Sequence, residues 1–204
     1  MTQEQQILIK AESLFFKLGV KSITMDDLAR EMGVSKKTIY KYVDNKADLV
    51  KKVMQNHFEQ ERSVMDSILS AHDNAIDEMI AIIRNVLKHV RGIHPSSIYD
   101  IQKYYPESWA MFKEFKDNFI YSCVLNNLQH GKEEGFYREN FNPEIIAKIY
   151  VHSIDFVVNP MNFPPTEYSF VNLYLEYIRY HLRGIASIKG IEYLKNIQLN
   201  EDDK

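Results

Sequence analysis

Cysteine is nearly missing from this chain: Cys123 stands alone among 204 residues. One thiol excludes an internal disulfide and cannot by itself build a thiolate zinc site, so a buried, inert side chain is expected. Proline is missing from the first 94 residues, the six being Pro95, Pro106, Pro143, Pro160, Pro164 and Pro165; helix can follow helix over that stretch without a built-in breaker. No apolar run approaches the roughly 18 residues of a membrane span, and "MTQEQQILIK" lacks the basic-then-apolar order of a secretory signal. A cytoplasmic protein with no membrane partner is expected. The net charge of −3 excludes a basic coat over the whole surface, so any contact with a polyanion must be local. The seven histidines show neither HExxH nor another metal spacing, and no metal is expected. No Gly-rich phosphate loop, nucleophile elbow or paired-carboxylate motif occurs, which argues against an enzyme and leaves no cofactor to expect.

What is present is an ordinary globular composition, 45% apolar and 26% charged side chains, enough to bury a sizeable core in one domain or two small ones. Ile7, Leu8, Ala11, Leu14, Phe15 and Leu18 recur at helical spacing, and Gly19 follows as a stop. Thr24 with Asp27 three residues on forms a capping-box pattern, with Ile23 and Leu28 as the hydrophobic staple, so a helix is expected from about Met25 to Met32. Gly33 can take the left-handed conformation that ends it, and Ser35 can cap a short helix over about Lys36 to Val43. Asn45, with Asp48 at its third position, opens a fourth helix reaching about Ala71 to Asn74.

Two short helices joined by a turn of about three residues read as a helix-turn-helix. Ala29 permits close approach, Gly33 turns the chain and Ile39 plugs the core. At about 100° per residue, Ile39 and Val43 point inward, while Lys37, Lys41, Thr38 and Tyr42 spread over the opposite arc. Such side chains suit phosphates and base edges in a major groove. Charge placement adds a second argument. Lys36 and Lys37 begin one helix and Lys46 begins the next, against the helix dipole, and an external phosphate would turn that conflict into attraction.

The stretch "ITMDDLAREMGVSKKTIYKYVDNKADLVKKVM" resembles the N-terminal domain of the TetR family of bacterial transcriptional regulators, whose pattern runs "GVSxxTxYxYFxxKxxL". The match covers about residues 5 to 54. Val43, where an aromatic is usual, is its one visible departure. The resemblance implies Thr24 and Lys46 clamping phosphates, Tyr40 on the DNA backbone while packing, and Lys36, Lys37, Thr38 and Tyr42 reaching toward the groove, with Ser35 and Lys41 completing the expected DNA-binding set. It also implies an all-α fold: a three-helix, helix-turn-helix DNA-binding domain over 1–48 and a larger helical ligand-binding and dimerisation domain over 49–204.

Beyond the motif, helices are expected over 74–92, within "PSSIYDIQKYY", from Pro106 to about Glu134, from Pro143 with Asn142 as cap, and from about Glu167 to Ile188, ending in a frayed "NEDDK". The last two carry too many apolar residues for one stripe, so each needs cover on two sides. One side can face a twin in a two-fold homodimer, with Ile149, Phe156, Tyr174, Ile178 and Leu182 as candidate interface residues. A dimer also sets two reading helices about 34 Å apart on one face of duplex DNA. In the region where TetR-like proteins hold a small ligand stand Tyr99, Tyr104, Tyr105, Trp109, Phe112 and Phe119, which favour an apolar or aromatic effector. The expected function is a sequence-specific regulator, a repressor released from operator DNA by that effector. The alternative is a DNA-bound adaptor that recruits a protein through its C-terminal domain without a small ligand.

Overall fold

The computed structural model describes residues 1–72, 74–90, 92–94 and 96–197; the expected fraying of "NEDDK" lies outside them. Among the described residues the chain has no strand, only one bridge between Tyr137 and Ala186. The helices are α1 Gln3–Leu18, α2 Met25–Met32, α3 Lys36–Ile39, α4 Lys46–Ala71, α5 Ala75–Val90, α6 Ser97–Tyr104, α7 Pro106–Glu114, a π-helical turn Phe115–Ile120, α8 Tyr121–Glu133, α9 Pro143–Val157, α10 Phe170–Ile185 and α11 Ile188–Leu194. The chain is all-α, as the periodicity required.

Two compact units result, one of Met1–Arg62 with Gly92–Glu114, the other of Ser63–Arg91 with Phe115–Lys204. In the first, α1 begins one turn earlier than its apolar pattern, because Thr2 and Gln5 form a capping box. Ile7, Ala11, Leu14 and Phe15 of α1, Leu28 and Ala29 of α2, Ile39 of α3 and Val43 are all buried. The inward readings of Ala29, Ile39 and Val43 therefore hold. Segment 92–105 packs against the far end of α1: Ser97 Oγ donates to the Phe15 carbonyl at 3.0 Å, and the His94 N–H donates to that of Phe16. Gly19 accommodates this at a positive φ of 84°, where a Cβ would come within 2.8 Å of Ser96 Oγ.

In the second unit, α5, α8, α9 and α10 share a core that includes Ile76, Ile83, Leu128, Val151, Leu175 and Ile178. A buried polar knot joins them. Asn127 donates from Nδ2 to the Ala75 carbonyl and to Glu78 Oε1, each at 2.8 Å, and the Tyr137 hydroxyl lies 3.0 Å from Asn127 Oδ1. Burial pushes the Glu78 carboxyl up from its ordinary range, against the opposing effect of Asn127. Asn142 caps α9 through Oδ1, which accepts from Glu144 and Ile145, with Pro143 opening the helix.

Three expectations change. The helix expected over Pro106 to Glu134 contains the π turn, which adds a residue to the winding at 115–120; neither glycine nor proline marks that place in the sequence. The helix expected to reach Val43 is α-helical only to Ile39. Lys41 and Tyr42 instead donate to Thr38 and Ile39 three residues back, the tighter winding common at helix ends. The helix expected to reach Ile188 stops at Ile185, and Ser187 caps the further helix α11 through the Gly190 N–H.

Candidate nucleic-acid interface and C-terminal sites

The α2–turn–α3 frame is fixed by local hydrogen bonds. Thr24 Oγ1 accepts from the Asp27 N–H at 3.1 Å, and Asp27 Oδ2 accepts from the Thr24 N–H at 2.9 Å. That bonding, led by the Thr24 side chain, holds the Asp27 carboxyl below its ordinary range. Gly33 closes α2 in the left-handed conformation, at φ 66° and ψ 28°. Ser35 accepts from the Thr38 N–H at 3.1 Å, and the two hydroxyls lie 2.8 Å apart.

The lysines fall into two groups. Lys36 is answered within the chain by Asp26 at 2.9 Å, a contact that raises its pKa. Lys46 is half-buried and donates to the Lys21 carbonyl at 3.2 Å; desolvation lowers its pKa, against the opposing pull of Asp100 and Asp27. Lys37 and Lys41 are exposed and make no ion pair with the described residues. Tyr40 is 42% exposed. Tyr42 is half-buried, and its hydroxyl donates to Gln3 Oε1 at 3.0 Å, while its carbonyl accepts from Lys52. The frame therefore brings Lys37, Thr38, Tyr40 and Lys41 together on one short outer surface. Thr24 and Ser35 serve chiefly as caps, and Tyr42 also braces α1.

Two residues absent from the sequence reading support this surface. The buried Asp100 of α6 accepts from the Lys21 N–H at 2.9 Å, and Lys21 Nζ donates to the Tyr104 hydroxyl at 3.1 Å. The corner between α1 and α2 is thus held on its N–H by Asp100 and on its carbonyl by Lys46. Nothing in the sequence links Lys21 to a residue 79 positions on.

Of the six aromatics expected around an effector, five lie in the first unit and Phe119 in the second. Tyr99 and Tyr104, each 41% exposed, lie on the solvent side of α6 with Lys103 and Lys21 over their rings. Their phenol hydroxyls pair with Lys103 and Lys21 at the surface. Tyr105 is half-buried, and it and Tyr104 edge a cleft of about 370 Å³ with Asn45, Asp48, Lys51 and Glu107. Trp109 stacks on Phe112 at 5.1 Å, and Phe112 approaches Phe58 at 6.4 Å. Phe119, in the second unit, packs on Phe115 at 5.1 Å.

The expected interface residues also divide. Ile149 and Phe156 are 56% and 59% exposed, whereas Tyr174, Ile178 and Leu182 are buried in the second unit's own core and present no outward face. The helical phase of α10 decides this, turning Tyr180, 80% exposed, outward instead. Ile145 joins Ile149 on the open side of α9. Among the described residues no three His, Cys, Asp or Glu side chains are placed to hold a metal, and no helix is long and apolar enough to cross a membrane.

A capped helix-turn-helix with a small basic outer surface, followed by a bundle of further helices, defines the class of helical transcription regulators. Residues 7–53 match the family described as "Bacterial regulatory proteins, tetR family". It is 25% identical over 159 residues, 77% of this chain and 82% of the other, to the uncharacterized HTH-type transcriptional regulator YvaF of Bacillus subtilis. Its fold is that of reduced NemR from E. coli, with a TM-score of 0.73 at 14% identity over 91% of this chain and 98% of that one. It is also that of a putative transcriptional regulator from Saccharomonospora viridis in complex with choline, at 0.70 and 15% identity over 90% and 97%. FadR from Bacillus subtilis in complex with stearoyl-CoA scores 0.65 at 18% identity over 89% and 98%.

Proposed function

We propose that this chain is a TetR-family transcription regulator and acts as a homodimeric cytoplasmic repressor. Residues 1–48 read operator DNA, and residues 49–204 dimerise and take a small, largely apolar or aromatic effector that releases the DNA. The observation that carries the reading is the exposed Lys37, Tyr40 and Lys41 beside the half-buried Thr38, on a frame capped at both helices. Lys37 and Thr38 are assigned to base edges, and Tyr40 and Lys41 to phosphates. Lys46 joins them when it exchanges the Lys21 carbonyl for a phosphate, and Lys36 contributes its stem and part of its charge beside Asp26. The choline and stearoyl-CoA held by two proteins of this fold support a small-molecule site in the helical part.

Release requires the effector to favour a state with differently set reading heads. About 5.5 kcal/mol of preference swings 1:99 to 99:1. Segment 92–114 packs in the same unit as the head, so a change in the chain that leads into α6 reaches the α1–α2 corner through Ser97 and Asp100. The test is selection of bound duplexes from a random pool by the purified protein. Enrichment of a palindrome with half-sites one or more helical turns apart is expected; no enrichment at low salt would remove the DNA-reading assignment.

A further inference from the structure

Lys116 is 1% exposed, in a turn that is π-helical rather than α-helical. A buried ammonium is costly unless paired. Its partner is Asp155 on α9, through Oδ2, with Asp117 Oδ1 3.7 Å away. The pairing is incomplete on both sides. Asp155 Oδ1 is shielded from solvent and accepts no hydrogen bond, although 43% of the Asp155 side chain remains open. The ammonium has three protons to give, and among the described residues its hydrogen bond goes to Asp155 alone. An uncompensated carboxylate oxygen inside a protein is costly, and π turns recur at functional sites.

We infer that the Lys116–Asp155 pair is the polar anchor of the effector site and takes a neutral, largely apolar molecule through a hydroxyl or amide group. The inference rests on the effector reading given above. A hydroxyl donates to Asp155 Oδ1 and accepts from Lys116 Nζ, completing both partners at once. The pair is itself neutral, so an ammonium or a carboxylate would bring an unbalanced charge to the buried side of the site. Asp117, 43% exposed, is solvated and offsets little of that. Phe115 and Phe119, whose tilted rings lie 5.1 Å apart on the same turn, supply apolar surface for the rest of the molecule.

The test uses the full chain with 2-phenylethanol, ethylbenzene, 2-phenylethylamine and 3-phenylpropanoate, and with the corresponding eight-carbon alkyl series, read by thermal unfolding and by affinity for a selected duplex. In the wild type the alcohols should stabilise the fold and weaken DNA binding at lower concentration than the amine, acid or hydrocarbon. The double variant Lys116→Met, Asp155→Leu replaces the pair with apolar side chains, a change that buried pairs often tolerate. It should bind hydrocarbon as well as alcohol, losing the alcohol preference by roughly tenfold or more. Asp155→Asn, closer in shape, should lose part of the preference if the double variant does not fold. An unchanged alcohol preference in the variants, or a wild type that prefers the acid, the amine or the hydrocarbon, overturns the anchor and leaves the effector reading standing. If no compound of either series binds, the small-effector reading falls and the anchor with it.

Discussion

The backbone N–H of Lys21 donates to the carboxylate of Asp100 at 2.9 Å, across 79 residues of chain. Lys21 sits at the corner between α1 and α2, and Asp100 is a buried residue of α6, so one carboxylate ties the proposed DNA-reading head to a helix encoded far downstream. Asp100→Ala leaves that N–H without its acceptor, and stability should fall by about 1–3 kcal/mol. Urea unfolding should show the loss, with DNA affinity weakened even at temperatures where the variant is fully folded. An unchanged unfolding midpoint would show that the bond contributes nothing.

Lys37 and Lys46 should separate on DNA. Lys46→Ala removes the proposed phosphate contact and should weaken all sequences alike, flattening the logarithmic salt slope by about one unit. Lys37→Ala or Thr38→Ala should change which bases are preferred. Titrations of selected and scrambled duplexes at several salt concentrations decide this. An unchanged salt slope for Lys46→Ala would mean that its ammonium stays on the Lys21 carbonyl in the complex.

Charge placed on the α9–α10 surface should have opposite effects at neighbouring positions. Ile149→Glu and Phe156→Glu, at exposed sites, should leave a folded chain that scatters light as a monomer. Ile178→Glu, at a site with 0% exposure, buries an unpaired carboxyl and should cost more than about 4 kcal/mol, unfolding the second unit. Persistent dimers in both exposed variants would put the interface elsewhere.

Acid should weaken the second unit through His181. Burial holds its imidazole at a pKa of about 4, against 6.5 when exposed, and its ring lies edge-on to Tyr150 at 4.7 Å. Between those values the unfolded chain takes up a proton that the folded chain refuses, so stability falls as pH falls from 6.5 to 4. The loss approaches roughly 3 kcal/mol at the lower end. His181→Phe should lose less thermal stability over the same pH interval; equal losses in both proteins would assign the acid sensitivity to other groups.

Much of the first unit was legible because its signals are local. Thr24 and Asp27, Ser35 and Thr38, and Asn45 and Asp48 are each three residues apart, and each makes the expected capping bond. The inward set Ala29, Ile39 and Val43 follows from periodicity alone. The lysine argument was only partly legible. Asp26 lies ten residues from Lys36 and the Lys21 carbonyl 25 from Lys46, so the partners that occupy these cations come from folding. Lys37 and Lys41 alone stay as open as the charge pattern suggested.

The sequence by itself determined the helices, their caps and the helix-turn-helix, since all of these depend on residues within one or two turns of each other. Tertiary structure decided which face of each helix is left outward. It buried Tyr174, Ile178 and Leu182, exposed Tyr99 and Tyr104, and drew Lys116 inward to Asp155. The physical reason is that an apolar stripe broad enough to be covered twice does not state which side its own chain covers. A charged side chain likewise does not announce a partner tens of residues away; the packing of the helices chooses both.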